Sequence, residues 1–249
     1  MTDFSTRIIK GGALRAETRR LIEVWNDEIS AASNLERIRT ENLLGLPSRK
    51  RTEDALTILR QRFIDPKPDL VPTLRLLASH GSPFKEACYF EATRNDDLLA
   101  FASETVLFDW IELGRSTVTT EQLERALLDQ TPDPALKKWG AQTRRRVVHG
   151  LLSALRDFGI LEGRAVKQIA VPHLTLPGFA YAAGRLRQLG HADLRGSTVW
   201  HRWLLSDARI RSLFLEGDRV GLFRFYEAGS VIRIDWTYDQ LEDTVRAAL

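Results

Sequence analysis

Residues Thr143 to Ala165 read TRRRVVHGLLSALRDFGILEGRA. Val147, Val148, Leu151, Leu152, Leu155 and Phe158 recur at the three- and four-residue spacing of an amphipathic helix. Gly159 stands where a left-handed residue would close that helix, and Ile160 can then pack back on Leu155. The front is anomalous. Thr143 reads as the N-cap, which places Arg144, Arg145 and Arg146 in the first turn. Backbone N–H groups there already carry partial positive charge, so each exposed cation costs about 0.3–1 kcal/mol. Arg144 lies closest to the apolar stripe. The opposite face carries Arg145, His149, Ser153 and Arg156.

The neighbouring segments give this helix a context. Downstream, ILEGRAVKQIAVP holds two β-prone pieces around Glu162-Gly163-Arg164 and reads as a small hairpin. Upstream, Thr119 with Gln122 forms a capping-box pattern ahead of Leu123, Ala126 and Leu127. Asp133-Pro134 can start a further short helix, with Asp at N-cap and Pro at N1, and Trp139-Gly140 breaks it. A capped helix, a basic-fronted helix and a hairpin follow the order of a winged helix-turn-helix. The spacing is loose: about a dozen residues separate the two helices, where a typical turn has three or four.

Further out the chain remains mostly helical. Leu14, Leu21, Ile22, Trp25 and Ile29 predict one helix from Ala13 to about Ile29. After a loop around LGLPS, a second helix starts behind Ser48 with Ala55, Leu56, Leu59 and Phe63 inside. Pro66, Pro68 and Pro72 end it and introduce a short helix near Val71–Ser79. Two more helices follow, broken near Asn95, with Asp96-Asp97 as a helix start and Gly114 closing the run. Past residue 175, PGFAYAAGRLRQLG and TVWHRWLLSDARIRSLFLEG look helical, with Trp200 and Trp203 in a core. GLFRFYEAGSVIRIDW is a hairpin: Phe223 and Phe225 share a face with Ile232, Ile234 and Trp236, Arg224 and Arg233 take the other, and Gly229 makes the turn. Thr237 with Gln240 predicts a capping box for a last helix. The expected fold is mainly α. A helical bundle occupies 1–115, a winged helix-turn-helix-like centre 116–175, and a helical unit with a small β-hairpin 176–249.

Composition narrows the function. With 249 residues, 43% of them apolar and 28% charged, the chain can build a real core. Its one cysteine, Cys88, excludes an internal disulfide and any multi-cysteine metal site, and reads as a small buried hydrophobe. There is no P-loop, no G-x-G-x-x-G and no G-x-S-x-G. His80, His149, His173, His191 and His201 lack H-x-x-x-H spacing. Neither enzymatic activity nor a metal or cofactor is expected. No apolar run approaches a secretory signal or the roughly 20 residues of a membrane span, so a cytoplasmic protein without a membrane partner is expected.

Charge is segregated. Residues 65–135 carry 6 cations against 13 anions, whereas 136–211 carry 14 against 4. The TRRR stretch also has a twin, SRKR at Ser48 to Arg51: again a hydroxyl cap followed by three cations. Free N–H groups and guanidinium groups together suit phosphate. The competing readings are solvated faces, or arginines paired with the acidic 65–135 segment, which could also face a protein partner. The nucleic-acid reading nominates Arg49, Lys50, Arg51, Arg144, Arg145, Arg146, His149, Ser153, Arg156, Arg164 and Lys167. Duplex DNA is the expected partner, with RNA binding or a protein–protein adaptor role as alternatives.

Several blocks resemble one family. TRIIKGGAL with ETRRLIEVW, then SRKRTEDALTILRQR, then LLSALRDFGILEGRAVKQIA, and finally FRFYEAGSVIRIDW are similar to BrxA, a small protein of BREX phage-defence systems. The resemblance runs from about Thr6 to the C-terminus and rests on the number and order of blocks, since none is a catalytic signature. It implies a mostly helical, non-enzymatic accessory protein that binds DNA. Such proteins are encoded beside a methyltransferase, an ATPase and a phosphatase-like partner. An inner-membrane placement, attached to some family members, does not fit this sequence. No family active-site residues carry over.

Overall fold

In the computed structural model, residues 4–66, 70–131, 133–164, 166–229 and 231–249 are described. Pro68, expected to help end the second helix, lies outside them. The chain opens with α1 (Ile8–Gly11), α2 (Arg15–Val24), α3 (Ala31–Thr40) and α4 (Arg49–Leu59). Helix α2 stops five residues short of the expected Ile29. The cause is Asn34, whose buried amide accepts the Asn26 N–H at 2.9 Å and donates to the Asn26 carbonyl at 2.7 Å. That exchange turns the chain and leaves Ile29 37% exposed. Helix α3 was not foreseen. Ser30 caps it by accepting the Ser33 N–H at 3.0 Å, but only Asn34 and Ile38 are buried, so its apolar stripe is sparse.

Ser48 caps α4 as expected, accepting the Arg51 N–H at 3.2 Å. The helix then widens into a π-helical turn, Arg60–Ile64, which turns Arg62 inward. At 3% exposure, Arg62 donates to the Gly12 carbonyl at 3.1 Å and the Ala13 carbonyl at 3.3 Å. Burial pushes its pKa down to about 10. The guanidinium thereby ties the start of the chain to α4.

Next come α5 (Val71–Leu77), α6 (Gly81–Asn95), α7 (Asp97–Phe101), a second π-helical turn (Ala102–Leu107) and α8 (Phe108–Glu112). The break at Asn95 is as expected, and Asp96 caps α7 through the Leu99 N–H at 3.0 Å. Helix α6 is buried on every side, with Phe84, Ala87, Cys88, Tyr89, Phe90 and Ala92 all inside. It therefore carries carboxylates into the core, and these need partners.

The centre runs β1 (Thr117–Val118), α9 (Thr120–Gln130), α10 (Ala135–Lys138), α11 (Ala141–Asp157), β2 (Leu161–Glu162) and β3 (Lys167–Ile169). The strands form an antiparallel sheet in the order β1-β3-β2, with Gln168 of β3 opposite both Thr117 and Glu162. Strand β1 was not foreseen. Both halves of the Thr119–Gln122 capping box are present. Asp133 accepts the Ala135 N–H at 2.8 Å at the start of α10. Helix α11 ends as expected. Gly159 has φ 80, its N–H reaches the Arg156 carbonyl, and the Ile160 N–H reaches that of Leu155 at 2.8 Å.

The last segment contains α12 (Leu176–Gln188), a 3-10 turn (Thr198–Trp203), α13 (Asp207–Arg219), β4 (Phe223–Ala228), β5 (Val231–Trp236) and α14 (Leu241–Ala248). Phe223 stands opposite Trp236 and Phe225 opposite Ile234, which is the expected register. Trp200 and Trp203 are buried. The Thr237–Gln240 capping box does not form. Gln240 is itself the N-cap, without a side-chain bond, because the Thr237 N–H is drawn to the Leu222 carbonyl at 3.1 Å. Helix α12 packs on α6 and α14 packs on α12, and the buried apolar side chains form one contiguous cluster.

One buried ionic group joins α6 to α12. Glu91, with no exposed side chain, accepts from Arg185 Nε at 2.7 Å, Arg94 Nε at 2.7 Å and the Tyr181 hydroxyl at 3.0 Å. Removing one partner of a buried pair typically costs about 3–5 kcal/mol, because the other charge is stranded. Glu91→Ala should lower the unfolding free energy by that amount in urea titrations, and Glu91→Ala combined with Arg185→Met should recover part of it. A single-variant loss below about 1 kcal/mol would show that water reaches this site.

Candidate nucleic-acid interface

The arginine helix starts earlier than its sequence implies. Gly140, extended at φ −62 and ψ 154, is the N-cap, and Thr143 lies inside α11. The Trp139-Gly140 break itself supplies the non-helical backbone that a cap needs, and Ala141 and Gln142 then extend the helix. Arg144, Arg145 and Arg146 therefore occupy the second turn. The Arg144 N–H is already spent on the Gly140 carbonyl at 3.0 Å. The dipole penalty fades beyond the first turn, so the arginines cost less than expected. By the same token, they do not share a cradle of free N–H groups.

Their side chains have separate fates. Arg144 Nε pairs with Glu124 Oε1 of α9 at 3.0 Å, and its Nη1 donates to the Trp139 carbonyl. It is a half-buried strut between α9 and α11, held by an acidic partner 20 residues upstream. Arg145, Arg146 and His149 are exposed, and no carboxylate pairs with them among the described residues. Glu121 feels two of them. Its own backbone N–H and the Thr119 hydroxyl hold its carboxyl below the usual range, with smaller help from Arg145 and His149. Arg156 is exposed but engaged, with Nη2 at 2.8 Å from Asp157 and 3.4 Å from the Ser153 hydroxyl.

The twin cluster is built as expected, with the cations in the first turn of α4, yet its charges are largely matched. Arg49 lies 3.1 Å from Glu53, Lys50 lies 3.4 Å from Asp54, and Arg51 Nη1 donates to the Lys10 carbonyl at 2.6 Å. Helix α1 packs against both α4 and α11. Its approach to α11 is so close that a Cβ on Gly150 would stand 3.3 Å from the Ile8 carbonyl oxygen. A concavity of about 430 Å³ remains there, lined by Lys10, Arg51, Ser153 and Asp157 among others. Arg51 and Ser153 thus meet at one cleft, whereas Arg49 and Lys50 do not line it.

Past α11, Arg164 is exposed at the turn between β2 and β3, its guanidinium with no acid paired to it among the described residues. Lys167 is not on the surface. It is 8% exposed, and its ammonium donates to the Gly163 carbonyl at 3.1 Å and to the Arg164 carbonyl. Sequence reasoning missed Lys137 and Lys138, both exposed on α10 immediately before α11. The paired lysines were visible in the sequence, but their exposure is set by the fold.

Much of the acidic 65–135 segment is consumed internally. Glu91 holds Arg94 and Arg185, Glu104 holds Arg202 at 2.9 Å, and Glu124 holds Arg144. Cys88 is buried, and burial pushes its thiol up to about 12. Among the described residues no group of three or more His, Cys, Asp or Glu side chains could hold a metal ion, and no helix is long and apolar enough to cross a membrane.

Residues 2–183 match the family described as BrxA, from the N-terminus into α12. The hairpin Phe223–Trp236, one of the resembling blocks, lies outside that match. No curated protein sequence matches the chain. The match spans more than half of the chain and includes α1, α4 and α11, so this protein belongs to the BrxA family of BREX phage-defence components.

Proposed function

We propose that this protein is a non-catalytic, cytoplasmic duplex-DNA-binding component of its BREX system, with α11 laid in the major groove. The observation that carries this reading is the stripe Arg145, Arg146 and His149. These cationic or titratable side chains are solvent-exposed, with no carboxylate paired to them among the described residues, on a helix whose other face is core. The element order β1-α9-α10-α11-β2-β3 and the strand order β1-β3-β2 support a winged helix-turn-helix reading, with α11 as the groove helix and the β2–β3 turn as the wing. The B-form major groove, about 12 Å wide, admits a helix, whereas that of A-form RNA is too narrow for side chains to read. Lys137 and Lys138 extend the cationic edge. A non-catalytic role is supported by the buried, high-pKa thiol of Cys88 and by the structural use of the buried acids Glu86 and Glu91.

Salt dependence separates DNA binding from an adaptor role. With Arg144 and Lys167 committed internally, about five phosphate contacts remain, so duplex affinity should fall about 10²–10³-fold between 50 and 200 mM salt. Mobility shifts on duplex, single-stranded DNA and RNA at both salt levels measure this. Absence of duplex binding at low salt would favour an acidic protein as the partner of the basic face.

Two variants then split the arginines by role. Arg145→Ala with Arg146→Ala should leave the melting temperature unchanged and reduce the salt slope by about 2 units. Arg144→Ala should instead lower stability by about 1.5–3 kcal/mol, the range for a hydrogen bond to a charged group, with little change in slope. The reverse pattern would contradict the assignment.

A further inference from the structure

The β2–β3 turn is built around a lysine. Lys167 opens β3 as a nearly buried cation, and a buried cation needs acceptors. Here the acceptors are the carbonyls of the turn itself, Gly163 and Arg164. Gly163 has φ 84, and a Cβ there would stand 2.6 Å from the Val166 carbonyl oxygen, so the turn is tight and requires glycine. The Gly163 and Arg164 carbonyls thus both meet the ammonium. Arg164 is left exposed beside Val166, which is 56% exposed.

We propose that Lys167 is a positioning residue: it staples this turn in the conformation that presents Arg164 to the minor groove of duplex DNA. The inference rests on the duplex reading above and adds the groove and the base composition. A turn this small cannot fill a major groove that α11 occupies. The minor groove, about 6 Å wide, accepts a single arginine side chain. Runs of A·T pairs narrow that groove and deepen its negative potential, which draws in arginine. A stapled turn has already lost the backbone freedom that binding would otherwise cost, so the contact is made at smaller entropic expense. Glu162, exposed just before the turn, is the neighbouring anion and confines favourable contact to the Arg164 tip.

The test uses the full-length protein and two duplexes of equal length, one with an A·T run at the expected wing position and one with G·C pairs there. Affinities are read by fluorescence anisotropy. Wild type should prefer the A·T duplex by about tenfold, within the range for a base-composition contact, and netropsin, which fills A·T minor grooves, should remove the preference. Arg164→Ala should bind both duplexes equally with an unchanged melting temperature. Lys167→Met, which keeps the stem and loses the donor, should also erase the preference. A lysine with a merely structural role would, on substitution, weaken both duplexes alike or lower the melting temperature with the preference intact, and either result overturns the proposal. Should Lys167→Met not fold, Arg164→Ala and Arg164→Lys decide, because an exposed side chain leaves the fold intact. Wild type binding both duplexes equally overturns the minor-groove inference while leaving duplex binding standing. Wild type binding neither overturns both readings.

Discussion

A carboxylate taken wholly out of water is the constraint on which this structure depends. Glu91 sits on a helix that is buried on every side, and it is tolerated because Arg185, Arg94 and Tyr181 satisfy it together. Through it α6 and α12 are fixed in register, and α12 in turn carries α14 and the end of the chain. The basic helix α11 is then held from two sides. Arg144 ties it to α9 through Glu124, and α1 lies across Gly150 while Arg62 pins the Gly12-Ala13 backbone to the π-helical turn after α4. A binding surface on elements locked this way loses little conformational freedom on binding.

The same residue type does two opposite jobs here. Arg62, Arg144, Arg185 and Arg202 are internal struts, each bonded to carbonyls or carboxylates. Arg145, Arg146 and Arg164 reach solvent without a paired acid among the described residues. Arginine permits both, because its delocalised charge and five donors can be satisfied inside as well as outside. The net charge of +3 conceals this division. What matters for a polyanion is the subset of cations left over once the internal pairs are made.

Where local chemistry decides, the sequence is informative. The Thr119–Gln122 box, the Ser48 cap, the Gly159 ending and the register of Phe223 and Phe225 against Trp236 and Ile234 are all settled by residues within a few positions or by strict alternation. Where a distant partner decides, it is not. Thr143 has the side chain of a cap, but the Trp139-Gly140 break starts the helix three residues sooner. Thr237 and Gln240 have the spacing of a capping box, but Leu222 takes the Thr237 N–H. Helix α3 hides because Asn34, a polar residue, fills one of its few buried positions. At the interface, Arg145, Arg146, His149 and Arg164 are legible as exposed cations, whereas the capture of Arg144 by Glu124 and of Lys167 by its own turn depends on contacts that no local pattern encodes.

The central claim is that α11 and the turn after it face the nucleic acid. Photocrosslinking of the protein to a bromouracil-substituted duplex, with crosslinked peptides mapped by mass spectrometry, tests this without any substitution in the protein. The account predicts crosslinks within residues 137–167, concentrated around Arg145, Arg146, His149 and Arg164. Crosslinks confined to α13 and the β4–β5 hairpin, with residues 137–167 unmarked, would contradict it.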